Sequence, residues 1–205
     1  DVTEYKRQQA ALEQSEARFQ KMVANVPGMI YQFRLEPGGR KYFTYVSSGS
    51  KNLYQLEPQE IENKRDLTYE TIHPDHLTGF EQSIEISATT LEPWQHQWRQ
   101  IIQGKVKWLQ GAAKPEKQAN GDLVWDGLVM DITELKQTQQ DRDRFFSISL
   151  DLLCIAGFDG YFKRLNPAWS NALGYSSAEL FAKPMLEFVH PDDRRSKSTR
   201  LNSSH

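Results

Sequence analysis

The chain has 205 residues, with 25 Lys and Arg against 27 Asp and Glu, a net charge of −2. That balance gives no strong positive field, so neither a nucleic-acid nor an anionic-membrane partner is expected. No run approaches the length of apolar sequence needed to cross a bilayer. A single cysteine, Cys154, leaves no internal disulfide framework. It fits a reducing compartment, so a cytoplasmic location is expected.

In chain order, Thr3 to Ala24 reads as a helix. Tyr5, Leu12 and Phe19 recur every seven residues on an otherwise polar rod. Two readings stay open: a helix lying on its own domain, or a short parallel coiled coil that makes a homodimer. Asn25-Val26-Pro27-Gly28 ends the helix. Met29 to Leu35 alternates as a strand, Glu36 to Arg40 is a turn, and Lys41 to Ser47 is the partner strand. Ser48 to Lys64 carries two short helices, the second opened by Glu57-Pro58. His73-Pro74-Asp75 opens a further helix with Leu77, Phe80 and Ile84 on one face. Three strands follow, Trp94 to Ile102, Val106 to Ala113 and Leu123 to Asp131, with Lys114 to Lys117 read as a solvated hairpin. The order predicts an α+β fold: a five-stranded antiparallel sheet with short helices on one face, flanked by long linker helices.

The sequence also repeats itself in a fixed order. Asp1-Val2-Thr3-Glu4-Tyr5-Lys6 returns as Asp131-Ile132-Thr133-Glu134-Leu135-Lys136, and Ala17-Arg18-Phe19 as Asp143-Arg144-Phe145. Tyr54 to Ile61 aligns with Leu173 to Leu180, and Ile72-His73-Pro74-Asp75 with Val189-His190-Pro191-Asp192. A repeat of this length is a whole domain. The expected layout is a linker helix over 1–24, a complete domain over 25–132, a second linker helix over 133–146 and a truncated second domain over 147–193. The second copy is expected to lack its last three strands and to leave its core open. Residues 194–205 carry no apolar periodicity and are expected to be a non-native or disordered tail.

Element order and motifs together resemble the PAS family of sensor domains, of the PAS-3 type. The carrying residues in the first copy are Tyr45-Val46-Ser47, Ile72-His73-Pro74-Asp75, Lys107-Trp108-Leu109, Trp125-Asp126-Gly127 and Asp131-Ile132-Thr133-Glu134. In the second copy they are Asn166-Pro167-Ala168-Trp169, Leu173-Gly174-Tyr175-Ser176 and Glu179-Leu180. The resemblance covers about residues 16 to 193, and makes Asp1 to Glu4 look like the end of an earlier PAS domain. It implies a sensory or relay module of a multidomain signalling protein such as a sensor histidine kinase. The alternatives are the sensor part of a cyclic-di-GMP enzyme, or a dimerisation adaptor without a ligand.

The resemblance also implies that Asp131, Thr133 and Glu134, like Asp1 and Thr3 before the first copy, couple the sheet to the helix leaving it. From the residues alone, Asp131 and Glu134 have capping-box spacing. Tyr31, Phe33, Tyr45, Phe80, Ile84, Trp98 and Trp108 read either as a packed core or as the wall of a small-molecule cavity. His73 and His76 sit at i, i+3, but no third ligand motif accompanies them, so no metal site is expected. No cofactor is expected. Haem through His76 is the weaker alternative, and flavin is disfavoured because the Asn-Cys-Arg motif is absent. Cys154 reads as a small core hydrophobe. No nucleophilic triad, zinc motif or nucleotide-phosphate loop is visible, so the fragment is expected not to be an enzyme, with catalysis left to a downstream effector domain.

Overall fold

The computed structural model describes residues 2–64 and 66–194, with only the helical backbone of Val2 and Thr3. The proposed coupling residue Asp1, the side chain of Thr3 and tail residues 195–205 lie outside the described residues. Two compact units divide the chain, Asp1–Lys136 and Gln137–His205.

The first unit begins with α1 (Val2–Ala24). Its seam residues Tyr5, Leu12 and Phe19 are all exposed, while Val23 at its end is buried. Strands β1 (Met29–Leu35) and β2 (Lys41–Val46) form a hairpin. Four helices follow: α2 (Gly49–Leu53), α3 (Pro58–Asn63), α4 (Asp66–Tyr69) and α5 (Pro74–Thr90). Strands β3 (Trp94–Ile102), β4 (Lys105–Lys117) and β5 (Leu123–Asp131) then form a meander. The sheet is wholly antiparallel, in the order β2-β1-β5-β4-β3. β5 thus pairs back onto β1, the first strand of the unit, and the predicted five-stranded α+β architecture is present.

One difference lies in β4. Lys114 to Lys117 is not a hairpin but a continuation of the strand, paired with Trp125 to Leu123 and its neighbours. Pro115 is tolerated there because β3 begins opposite Ala113, so beyond that point β4 has only β5 as a partner. Its missing N–H faces the side without a strand.

The core lies between one sheet face and the helices. Alternation puts Met29, Tyr31, Trp94, Trp98, Leu109, Ala113, Trp125 and Val129 inward, and all are buried. Two sheet glycines make room for rings on this face. A Cβ on Gly111 would lie 2.4 Å from the Trp94 ring, and one on Gly127 would lie 2.5 Å from the Tyr31 ring. The glycine of the Trp125-Asp126-Gly127 motif is therefore a seat for the tyrosine paired with it across the strands.

The second unit contains most of α6 (Thr133–Ile148), strands β6 (Cys154–Ala156) and β7 (Phe162–Leu165), helices α7 (Ala168–Leu173) and α8 (Ser177–Ala182), and a 3₁₀ turn over Met185–Phe188. Among the described residues its two strands pair only with each other. Phe162 and Leu180 are buried, whereas Leu150, Ile155, Phe158 and Tyr175 are exposed. Cys154 is exposed as well, not a core residue. The core reading assumed a sheet covered on one face, and β6 here has a single neighbour and no covered face.

Candidate functional site

A cavity of about 450 Å³ lies between the inner sheet face and helices α4 and α5. Five predicted residues line it: Tyr31, Phe33, Phe80, Ile84 and Trp98. Two do not, each for a stateable reason. Tyr45 is turned to the opposite face by a β-bulge in β2. Gln32 pairs with Tyr45, but the next residue, Phe33, pairs with Phe43, leaving Thr44 as the extra residue. Phe43 therefore lines the cavity, and Tyr45 packs its ring 6.4 Å from that of Phe19 on α1. Trp108 is one residue from the core-facing Leu109, so it lies on the outer face.

Phe80, on α5, sits at the centre of the aromatic wall, with ring centroids 4.9 Å from Trp98, 5.7 Å from Trp94 and 5.8 Å from Tyr69. Edge-on contacts of this kind suit the ring quadrupole. Each inward indole also has a hydrogen-bond acceptor. The Trp94 N–H donates to Ser83 Oγ at 2.9 Å, and that of Trp125 to Ser87 Oγ at 3.1 Å. Ser83 and Ser87 are four apart and so share one face of α5, which these two bonds tie to strands β3 and β5. The Trp98 N–H donates to Gln100 Oε1 at 2.6 Å. The Gln100 amide in turn donates to the Thr68 carbonyl at 2.6 Å and to Thr71 Oγ1. Sequence reading missed Ser83, Ser87 and Gln100. The only signal was that a buried indole needs an acceptor.

A second feature is the corner where β5 becomes α6. Asp131 Oδ1 accepts the Thr133 N–H at 2.9 Å and also the Thr133 hydroxyl. Its other oxygen lies 3.1 Å from Lys107 Nζ. The cap therefore runs through Thr133, and not through the Asp131–Glu134 pair that the spacing suggested. Partial burial works to raise the Asp131 carboxyl, but the Thr133 donors and Lys107 outweigh it and hold it below its usual value. Strand β4 grips the same corner: the Trp108 N–H donates to Thr133 Oγ1 at 2.9 Å, and the Trp108 carbonyl accepts the Ile132 N–H at 2.8 Å.

The outer face joins this corner to the start of α5. Arg99 on β3 donates from Nη2 to Asp75 Oδ2 at 2.6 Å and from Nε to His76 Nε2 at 2.9 Å. The His76 ring lies edge-on to Trp108, with centroids 5.3 Å apart, and Lys136 Nζ stands 5.0 Å over the Trp108 ring. His73 acts as N-cap, its Nδ1 accepting the Asp75 N–H. His76 is thus engaged with Arg99 and is not among the cavity-lining residues. Among the described residues no group of three or more His, Cys, Asp or Glu side chains could hold a metal ion.

Fold and site together define an α+β domain with a walled cavity and a capped exit helix. Residues 43–129 match the PAS fold family of the PAS_3 type, and the chain therefore carries a PAS domain in its first unit. A curated relative, the uncharacterized protein y4lL of Sinorhizobium fredii, is 27% identical over 135 residues, which is 60% of this chain and 16% of that protein. The chain thus spans under a fifth of that relative's length. Among solved structures, a sensory box histidine kinase/response regulator from Burkholderia thailandensis is 19% identical, with a TM-score of 0.45 over 62% of this chain and 93% of that one. The N-terminal domain of a diguanylate cyclase with a PAS/PAC sensor from Marinobacter aquaeolei is 12% identical, with a TM-score of 0.44 over 52% of this chain and 98% of that one. A domain of a putative light and redox sensing histidine kinase from Haloarcula marismortui is 13% identical, with a TM-score of 0.43 over 57% and 99%. No helix among the described residues is long and apolar enough to cross a membrane.

Proposed function

We propose that the first unit is a non-catalytic sensory or relay module of a multidomain signalling protein, in which a change at the cavity is passed to the helix after Asp131. One observation carries this reading. Two elements that wall the cavity lead to the exit helix: β5, which lines it through Trp125 and Val129, ends at Asp131, and α5, which lines it through Phe80 and Ile84, reaches through His76 the Trp108 of β4, whose backbone bonds both Ile132 and Thr133. Because β5 ends at Asp131, a shift of the sheet moves the cap on which α6 starts. A small molecule that prefers one sheet geometry would bias the helix by the difference in its affinity for the two states.

The parent protein is proposed to be a sensor histidine kinase, and the sensor part of a cyclic-di-GMP enzyme is the runner-up. A homodimer through the linker helices is proposed on the seam Tyr5, Leu12 and Phe19, all exposed, although Phe19 also meets Tyr45 within the unit.

The test is Asp131→Ala in the full-length parent. Loss of an N-cap costs about 0.5–2 kcal/mol. Output measured as autophosphorylation is expected to change by more than tenfold while thermal stability falls only by that cap's worth. A loss of output no larger than the loss of folded protein would leave Asp131 as a cap and remove the relay.

A further inference from the structure

The polar groups around the cavity can be followed to their partners. The three indole N–H groups end on Ser83, Ser87 and Gln100, and the Gln100 amide ends on Thr68 and Thr71. Thr68 and Tyr69 have partners of their own. Two groups differ. Tyr31 and Tyr54 line the cavity with only 7% and 8% of their surface exposed, and neither hydroxyl has a hydrogen-bond partner among the described residues. Burial raises both phenols, and the Tyr31 charge would raise Tyr54 further, so both keep their O–H at any physiological pH. The charged lining residues Lys41, Glu81 and Glu85 are exposed, on β2 and on the outer part of α5. The deep end therefore offers two neutral donors and no cation. Neither hydroxyl oxygen is among the fully buried unpartnered atoms, so both open onto the cavity, where the acceptor of a ligand can reach them.

We propose that Tyr31 and Tyr54 form a neutral hydrogen-bonding end to the aromatic cavity, which selects an uncharged planar aromatic ligand bearing a ring nitrogen or carbonyl acceptor and rejects the carboxylate analogue. This rests on the reading of the cavity as a ligand site. Nine aromatic residues on the wall supply the flat apolar contact, and the phenols supply the discrimination. A carboxylate placed there would have to shed its hydration without a counter-charge, which apolar surroundings do not repay.

The test uses the whole 205-residue chain at pH 7.5 with three probes of similar shape: quinoline, naphthalene and 2-naphthoate. Binding is followed by the ¹⁵N-labelled indole signals of Trp94, Trp98 and Trp125. One hydrogen bond of about 0.5–1.5 kcal/mol corresponds to quinoline binding roughly 2- to 12-fold tighter than naphthalene. Tyr31→Phe with Tyr54→Phe should bring quinoline to the naphthalene affinity and leave naphthalene unchanged. The single variants serve if the double variant unfolds. Equal affinity for quinoline and naphthalene, a preference that survives Tyr→Phe, or 2-naphthoate binding as tightly as quinoline would each overturn the proposal while leaving the cavity a ligand site. Failure of all three probes to move any of the indole signals would remove the ligand-site reading, and this inference with it.

Discussion

Where the second strand of each unit turns into its first short helix, the first unit has Ser47 and the second has Asn166, 119 residues on. Both are buried, and both close the same ring. Ser47 Oγ accepts the Ile30 N–H at 2.9 Å while the Ser47 N–H donates to the Ile30 carbonyl. Asn166 Oδ1 accepts the Leu153 N–H at 3.1 Å while its own N–H donates to the Leu153 carbonyl. The asparagine does more, because its amide also donates to the carbonyls of Ser149 and Asp151. The first unit has a five-stranded sheet and a large core to support its serine, whereas the second has two strands among the described residues. A unit with little apolar burial thus relies more on local polar ties. The same pattern holds further on: Glu60 accepts the Glu57 N–H as Glu179 accepts the Ser176 N–H, each at 2.8 Å, and Ile61 and Leu180 are the buried residues that follow.

The sharpest way to break this comparison is to remove the two polar ties in turn. Asn166→Ala leaves the Leu153 N–H and two carbonyls without partners, and should cost the second unit about 2–4 kcal/mol by the usual range for buried unsatisfied groups. Ser47→Ala removes one acceptor and should cost the first unit about 1–2 kcal/mol. Denaturant unfolding separates the two, since Trp169 belongs to the second unit and Trp94, Trp98, Trp108 and Trp125 to the first. Equal costs would mean that the second unit does not lean on its asparagine.

A graded difference is expected with pH. His76 is held below the ordinary histidine value of 6.5, first by burial and then by Arg99 and His73; His96 is lowered by burial and then by His76. The unfolded chain therefore takes up protons that the first unit does not. The stabilising contribution is complete above 6.5 and is lost as pH falls through the lowered folded values. Asp193 stands where the repeat would place a second His76. The unfolding midpoint followed by the four tryptophans of the first unit should drop between pH 7.5 and 5.5, while that of Trp169 should stay level. A parallel fall of both would assign the effect to other groups.

The smallest effect concerns the left-handed residue just past each first short helix, Gln55 two positions beyond α2 and Gly174 directly after α7. Gln55 has φ 60° and Gly174 φ 75°, so the first unit carries a side chain in a conformation that favours glycine. Gln55→Gly should stabilise the first unit by up to about 1 kcal/mol, read as a raised unfolding midpoint. No gain would mean that the entropy glycine adds to the unfolded chain cancels the relief of strain.

Much of this was legible beforehand because it depends on local chemistry. Alternation placed Tyr31 and Phe33 on one face of a strand, and the spacing of Phe80 and Ile84 put them on one side of a helix. The local rules failed where one residue changed parity. A bulge at Thr44 sent Tyr45 outward and brought Phe43 in, and nothing in Lys41 to Ser47 marks which residue is the extra one. Trp108 was misplaced because aromatic character was read as burial, while its neighbour Leu109 carries the core position.

By itself, then, the sequence determined the elements and their order, since helix caps, strand periodicity and turn residues act over a few neighbouring positions. Only the tertiary structure decided which polar groups meet. Ser83 and Ser87 find Trp94 and Trp125, and Trp108 finds Thr133, across distances in sequence at which no local preference operates. It likewise decided that the Tyr31 and Tyr54 hydroxyls meet no partner among the described residues, because which groups come within reach of a side chain depends on every element packed around it.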